Sequence, residues 1–342
     1  MMKVGMIGVG GMGSVHNNCL KALSQSAGIQ VVAIADCRKE FLEKGAALWP
    51  DAVRYETGME LIEKADVELV HICLPSYLHA EHAVRAMEKG MNVMLEKPAC
   101  LTEADCRLLE QKQKETGAKV MIGQVLRSFR EYKYLKAAHD DGRYGRLRSI
   151  MMQRVSGDVV WGFEDWFHDP QRSGSVVLDL HIHDADFLRY MLGEPDDVKV
   201  VEATAFDNGE INHIVTTYRF GDVKATAEGH WDLSRELPFE ASFRACFDKA
   251  TLVFSSAATP SLKVYTPDGQ VIVPELEPEA VAEEKSDGLN ISARGPYFEE
   301  IRYFIESLQN GTPNERAPLS EGVASVRLAL KEYAMALEAV KA

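Results

Sequence analysis

Apolar positions over the first 123 residues fall into short, compact runs separated by longer amphipathic stretches. Lys3 to Ile7 is one such run, too compact for anything but a buried strand, and Gln30 to Ala35 is a second. Between them Ser14 to Ala27 reads as a helix. Glu68 to Leu74 and Asn92 to Leu95 are further strands, with His79 to Lys89 a helix closed by Gly90. Thr102 can cap a helix that runs to Thr116 and stops at Gly117, and Lys119 to Gly123 is again a strand. This alternation predicts an α/β fold with a parallel, doubly wound sheet and helices on both faces. Its ligand belongs at the carboxyl ends of the strands.

The pattern changes after about residue 145. Arg146 to Gly157, Val198 to Phe206, His213 to Phe220, Val223 to Trp231, Phe239 to Asp248 and Thr251 to Phe254 read as strands. Turn signals such as Asp207-Asn208-Gly209 and Gly221-Asp222 join them. Consecutive strands with few helices predict an open, mainly antiparallel sheet in an α+β domain. Helices at Val177 to Leu192 and Pro296 to Gln309 interrupt or close it. Residues 274 to 289, acidic and proline-containing, are expected to form a surface loop. The domains expected are a Rossmann unit over 1–123 and a second unit over 124–319, with a last helix over 320–342 returning across the first.

The turn after the first strand gives that fold a ligand. Gly8-Val9-Gly10-Gly11-Met12-Gly13 sits between a strand and a helix, and Asp36 ends the second strand 23 positions past Gly13. One glycine makes the tight turn, the next admits a pyrophosphate, and the third lets helix pack on strand. The helix N-terminus then offers unpaired N–H groups and a positive dipole end to the phosphates. Asp36 can accept both ribose hydroxyl protons and would repel a 2′-phosphate, so NAD is favoured over NADP. Arg38 and Lys39 follow directly and could soften that preference, or simply be solvated charges at a helix start.

Composition narrows the remaining classes. The 342 residues are 46% hydrophobic and 26% charged, an ordinary globular balance with room for two domains. A net charge of −14 without a basic cluster argues against nucleic acid as a partner. No apolar stretch approaches a membrane span, and the N-terminus lacks a signal-peptide core. Cys19, Cys37, Cys73, Cys100, Cys106 and Cys246 show no C-x-x-C spacing and read as reduced thiols of a cytoplasmic protein.

Two further groups carry chemistry. Glu96-Lys97-Pro98 follows the strand Asn92 to Leu95, at the end where a cofactor's reactive ring belongs. A lysine there can polarise a substrate oxygen, although a solvated lysine at a strand end would look the same. Asp179 and His183 lie four apart on one helix face, so the carboxylate can orient the imidazole as a general base, or the two can be a plain hydrogen-bonding pair. The run Asp179-Leu180-His181-Ile182-His183-Asp184-Ala185-Asp186 also holds metal-ligating types. Helical geometry sends His181 and His183 to nearly opposite sides, so no metal is expected. Arg127, Asp165, Trp166 and His168 are weaker candidates for sugar contacts. Trp166 can offer a flat face to a ring or sit in a core. Tyr132-x-x-x-Lys136 matches the spacing of short-chain dehydrogenases by chance, because their glycine pattern differs.

Taken together these residues resemble the Gfo/Idh/MocA oxidoreductases. The likeness rests on Gly8-Val9-Gly10-Gly11-Met12-Gly13-x-x-His16, on Glu96-Lys97-Pro98, and on Ser173-Gly174-Ser175-x-x-x-Asp179-x-x-x-His183-x-x-Asp186, in order and across nearly the whole chain. The resemblance implies that Lys97, Asp179 and His183 line a substrate pocket over the nicotinamide. It also implies that Leu74, Pro75, His79 and Glu96 lie near the cofactor, with a peptide before Pro98 that is often cis. A homodimer or homotetramer through the second sheet is implied too. Leu74-Pro75-Ser76 and His181 depart from the usual pattern. The reaction expected is hydride transfer between a secondary alcohol of a sugar or polyol and NAD. The alternatives are an NAD-assisted glycosidase or lyase that cycles its redox internally, and a non-catalytic NAD-binding regulator.

Overall fold

The structure, a computed structural model, describes residues 1–278 and 295–341. Two compact units divide the described chain, residues 1–125 with 295–326 and residues 126–278 with 327–341.

In the first unit β1 (Met2–Ile7), β2 (Ile29–Ala35), β3 (Val53–Tyr55), β4 (Leu69–Ile72), β5 (Asn92–Leu95) and β6 (Val120–Ile122) form a wholly parallel sheet. Their spatial order is β3-β2-β1-β4-β5-β6, the doubly wound dinucleotide-binding order. Helices α1 (Gly11–Ser24), α2 (Lys39–Leu48), α3 (Gly58–Lys64), α4 (His79–Glu88) and α5 (Glu103–Thr116) connect them. The inner strands are buried on both faces, which is why β6 reads as an unbroken apolar run and β4 as one interrupted only by His71. Strand β3 and helix α3 left no such run: Val53 and Arg54 are exposed at the sheet edge, and α3 spans seven residues. Caps fall where expected. The Thr102 hydroxyl accepts from the Asp105 N–H, and Gly117 closes α5 in the left-handed region at φ 70°.

In the second unit α6 (Arg130–Asp140) precedes β7 (Leu147–Ser156), followed by α7 (Pro170–Ser173), a π-turn over Val177–His181, and α8 (Ile182–Leu192). Then come β8 (Asp197–Ala205), β9 (Ile211–Phe220), β10 (Val223–Trp231), β11 (Glu240–Phe247), β12 (Thr251–Ser255), β13 (Leu262–Tyr265) and β14 (Val271–Ile272). The eight strands run β14-β13-β12-β11-β7-β10-β9-β8, antiparallel throughout except for the parallel β7–β10 pair. Buried and part-exposed residues alternate along β9 to β12, so one face holds the core and the other is open. Tyr132 of α6 lies in that core, its ring 4.9, 5.3 and 5.4 Å from those of Phe187, Phe243 and Phe254. Residues 274–278 have no regular structure, and the rest of the expected acidic loop lies outside the described residues.

Helix α9 (Gly295–Asn310) belongs to the first unit. Helix α10 (Leu319–Lys341) gives its first two turns to the first unit and the remainder to the second. It crosses β6 at Gly322, where a Cβ would fall on the Ile122 side chain. A larger residue gains helix propensity of up to about 1 kcal/mol over glycine, but overpacking costs about 1–3 kcal/mol. Gly322→Val should therefore destabilise the protein by about 1–3 kcal/mol in denaturant titration. An unchanged midpoint would mean that α10 does not press on β6.

Candidate active site

The glycine turn closes onto itself. Gly8 has φ +79°, and a Cβ on it would strike the Cys73 carbonyl; a Cβ on Gly13 would strike the carbonyl of Gly8. Gly10 caps α1 with no side-chain hydrogen bond, and the first turn, begun by Gly11 and Met12, carries no acidic side chain. This cradle has space only because it lacks side chains, and it fits the pyrophosphate of a dinucleotide. Asp36 is buried at the end of β2, where its carboxylate accepts from the Val9 N–H (3.0 Å) and the Arg38 N–H (2.9 Å). The Arg38 guanidinium folds back on Asp36 at 3.2 Å and lies over the Phe41 ring, against the space beside Gly10. Leu74 borders the turn as well, its Cδ2 3.4 Å from where a Cβ on Gly8 would sit.

Glu96 sits inside the first unit rather than at its surface. Its Oε1 accepts from His16 Nε2 (2.8 Å), and its Oε2 accepts from the Lys97 backbone N–H (3.1 Å). His16 Nδ1 faces His71 Nδ1 at 3.2 Å, while His71 Nε2 has no hydrogen-bond partner among the described residues. With His16 donating from Nε2, the proton between the two rings belongs on His71 Nδ1. Burial, then the neighbouring His16, drives the His71 pKa well down and keeps that ring neutral. The resulting chain, His71 to His16 to Glu96 to the Lys97 backbone, fixes the residue that carries the lysine. His79 ties the same region from outside: its ring nitrogens lie 2.7 Å from the Pro98 carbonyl and 2.8 Å from that of Leu74. The loops after β4 and β5, the first of them containing Pro75, are thereby held at a fixed spacing. The Lys97–Pro98 peptide is cis, as the resemblance implied. From Val93 to Cys100 only Lys97 is partly exposed.

The second unit presents its residues the same way. From Ser173 to Arg189 every residue is buried except Asp179 and His183. The turn before them is tight: Gly174 has φ +74° and Ser175 φ +59°, and a Cβ on Gly174 would lie 2.7 Å from that of Leu178. Asp179 falls within the π-turn, an insertion that often marks functional sites. Two neighbouring carboxylates are paired inside the unit. Asp184 takes Arg154 at 3.0 and 3.2 Å, and Asp186 takes Arg127 at 2.6 and 2.9 Å. Arg127 is thus turned into the unit, its guanidinium also over the Tyr190 ring, and it braces α8. Trp166 is buried and stacked on Phe167 at 3.9 Å. His168 bridges Asp158 (3.0 Å) and Glu210 (3.1 Å) in a loop where Glu164 and Asp165 both have positive φ. Lys97 belongs to the first unit, Asp179 and His183 to the second.

Several ionisable groups escaped the sequence reading. Glu300 on α9 is fully buried, and neither of its oxygens has a hydrogen-bond partner among the described residues. It lies within 4.8 Å of the ligating atoms of His16 and Glu96. Burial, then the Glu96 charge, lifts its pKa well above the ordinary carboxylate range. No motif could have disclosed it, since α9 follows Glu96 by some 200 residues.

A doubly wound domain with a bare glycine turn, joined to a mixed-sheet domain with a His-Asp pair, defines a dinucleotide-dependent oxidoreductase. The comparisons agree. Residues 2–124 match the model of the oxidoreductase family with an NAD-binding Rossmann fold, and residues 132–253 match the GFO/IDH/MocA C-terminal domain. The chain belongs to the GFO/IDH/MocA family. It is 26% identical over 327 residues to a myo-inositol 2-dehydrogenase of Thermotoga maritima, covering 91% of this chain and 90% of that one. It is 27% identical over 208 residues to a 2,7-anhydro-N-acetylneuraminate hydratase of Mediterraneibacter gnavus, covering 60% of this chain and 53% of that one. Its fold matches that of levoglucosan dehydrogenase in complex with NADH, with a TM-score of 0.84 at 19% identity over 99% of this chain and 97% of that one. Among the described residues no helix is long and apolar enough to cross a membrane.

The raised Glu300 pKa has a consequence for stability. The folded state holds this proton more tightly than the unfolded chain, so the stabilisation is complete below about pH 4.5 and is lost as pH rises toward the folded value. Glu300→Gln should raise the thermal midpoint at pH 8 by roughly a few degrees, with the gap closing near pH 4.5. A gap that widens in acid would show that Glu300 is ionised in the folded protein.

Proposed function

We propose that the protein transfers a hydride reversibly between a secondary alcohol of a cyclic polyol or sugar and NAD. One observation carries the reading: Lys97, and the pair Asp179 and His183, are the partly exposed residues of otherwise buried runs. Side chains capable of acid–base work are therefore the ones presented to a ligand. We assign the dinucleotide to residues 1–123 and the substrate to residues 126–278 of the second unit, because α9 belongs to the first. When bound in the glycine cradle, the cofactor's nicotinamide supplies the hydride acceptor. His183 takes the hydroxyl proton, Asp179 orients the imidazole and stabilises its protonated form, and Lys97 holds and polarises the same oxygen. The similarity to a myo-inositol 2-dehydrogenase over nearly its full length supports a cyclic polyol.

NAD is the preferred cofactor in this reading because the Asp36 carboxylate guards the ribose position. Arg38 is held on Asp36 instead of standing open to a 2′-phosphate. The open face of the second sheet, with Met151, Val215, Thr226 and Glu228 on alternate positions, suits self-association into a dimer or tetramer. Cysteines outside any disulfide suit a reducing, cytoplasmic setting.

The hydratase relative favours a second reading, in which oxidation and re-reduction balance within each turnover. A screen of inositols, hexoses and nucleotide sugars separates the two. NADH absorbance rising with substrate consumption supports the dehydrogenase, whereas product formed without net NADH supports the internal cycle.

Lys97→Ala should lower kcat by about 10²–10⁴-fold while NADH binding, followed by fluorescence titration, stays within a factor of two. Near-normal turnover would remove the lysine from the mechanism. Asp36→Ser should move the NAD-to-NADP ratio of kcat/KM toward NADP by at least about tenfold, about 1.4 kcal/mol. An unchanged ratio would mean that Asp36 does not read the ribose.

A further inference from the structure

His181 lies midway between Asp179 and His183, at the last position of the π-turn, and is fully buried. Its Nε2 is 3.1 Å from the Tyr218 hydroxyl on β9 and 3.5 Å from Glu332 Oε2 on α10. Tyr218 donates its own hydroxyl proton to Glu332 Oε1. All three residues belong to the second unit, and neither His181 nor Glu332 exposes any side-chain surface. Because the phenol's proton goes to Glu332, its oxygen is the acceptor for His181, and the histidine must carry its proton on Nε2. His181 Nδ1 has no hydrogen-bond partner among the described residues, in keeping with a bare lone pair. Burial, then the Glu332 carboxyl, raises the Tyr218 pKa far above its ordinary value, so the phenol stays protonated and able to donate.

Close packing completes the arrangement. Gly229 of β10 faces His181, and a Cβ there would come within 2.8 Å of the histidine Cβ. The π-turn can therefore press onto the sheet at one spot, and the hydrogen bonds hold it there. A π-turn is a rare single-turn bulge in an α-helix, so its shape needs tertiary support. Hydrogen bonds between buried polar groups supply support that is rigid and directional, and the Glu332 oxygen without a hydrogen-bond partner among the described residues is the one 3.5 Å from His181 Nε2.

We propose that Tyr218 and Glu332 are positioning residues that act through His181 to hold the π-turn, and with it the Asp179–His183 pair, in its working geometry. This rests on the assignment of Asp179 and His183 as the proton-handling pair. The two residues touch neither substrate nor cofactor in this account. They set the spacing of groups that do, and errors of about 1 Å in such groups cost up to 10²-fold in rate.

The test uses two nearly isosteric variants of the full chain, Tyr218→Phe and Glu332→Gln, each with NAD bound. In histidine-¹⁵N-labelled protein, the wild type should show a His181 Nε2 proton protected from exchange, and Tyr218→Phe should lose it. The His183 ring signals, identified with His183→Asn, should move in both variants. With a polyol that turns over, kcat should fall roughly ten- to a hundredfold while KM and NAD affinity change less than about twofold. The double variant should be no slower than Glu332→Gln alone, as expected of residues acting as one unit. His183 signals that stay in place in both variants overturn the proposal, as does a loss confined to KM. Should no polyol be oxidised by the wild type, the function falls while the His183 signals still decide the positioning.

Discussion

The first unit depends on one close approach, Gly13 against the carbonyl of Gly8. A single methyl group at either position would collide with backbone, so α1 can start directly above the end of β1 only with glycine at both. That contact aims the α1 N-terminus at the carboxyl edge of the sheet, where the β3-β2-β1-β4-β5-β6 order opens a crevice. The same edge carries Asp36 at the end of β2 and Lys97 just beyond β5. The glycine turn, Asp36 and Lys97 thus share one edge, and the turn itself follows from how closely a helix can sit on a strand.

Precision in the site comes from buried polar groups that face inward. His71, His16 and Glu96 form a chain ending on the Lys97 backbone, and His79 ties the neighbouring loops through two carbonyls. In the second unit, α8 is clamped by two buried Arg–carboxylate pairs. Removing one partner of such a pair typically costs about 3–5 kcal/mol, because the other charge is left uncompensated. Their contribution is to fix position more than to add net stability. Few side chains of these runs keep any exposure, and that scarcity is what makes Lys97, Asp179 and His183 stand out.

Local signals were legible wherever the chain forms structure from neighbouring residues. The compact strands, the Thr102 cap, the Gly117 stop and the glycine turn could all be read in order, as could the i, i+4 spacing of Asp179 and His183. Weak signals came from short or edge elements. Strand β3, helix α3 and the β13–β14 hairpin are too short on their own to stand out from the surrounding chain. The π-turn was invisible, since it changes how many residues make a turn without changing which are apolar. Arg127 and Trp166 read as sugar contacts because arginine and tryptophan suit that task, yet packing gives one to Asp186 and stacks the other on Phe167.

By itself the sequence determined the doubly wound domain and the dinucleotide turn, and it singled out Lys97, Asp179 and His183 by residue type and spacing. These depend on residue type and short-range spacing, which the chain states directly. Tertiary structure alone decided which ionisable residues are spent inside. Glu300 comes to lie beside Glu96, and Glu332 beside Tyr218 and His181, across 204 and 114 or more positions of sequence. Burial and partner choice are properties of the folded packing, set by which helix crosses which strand, and no local pattern records them.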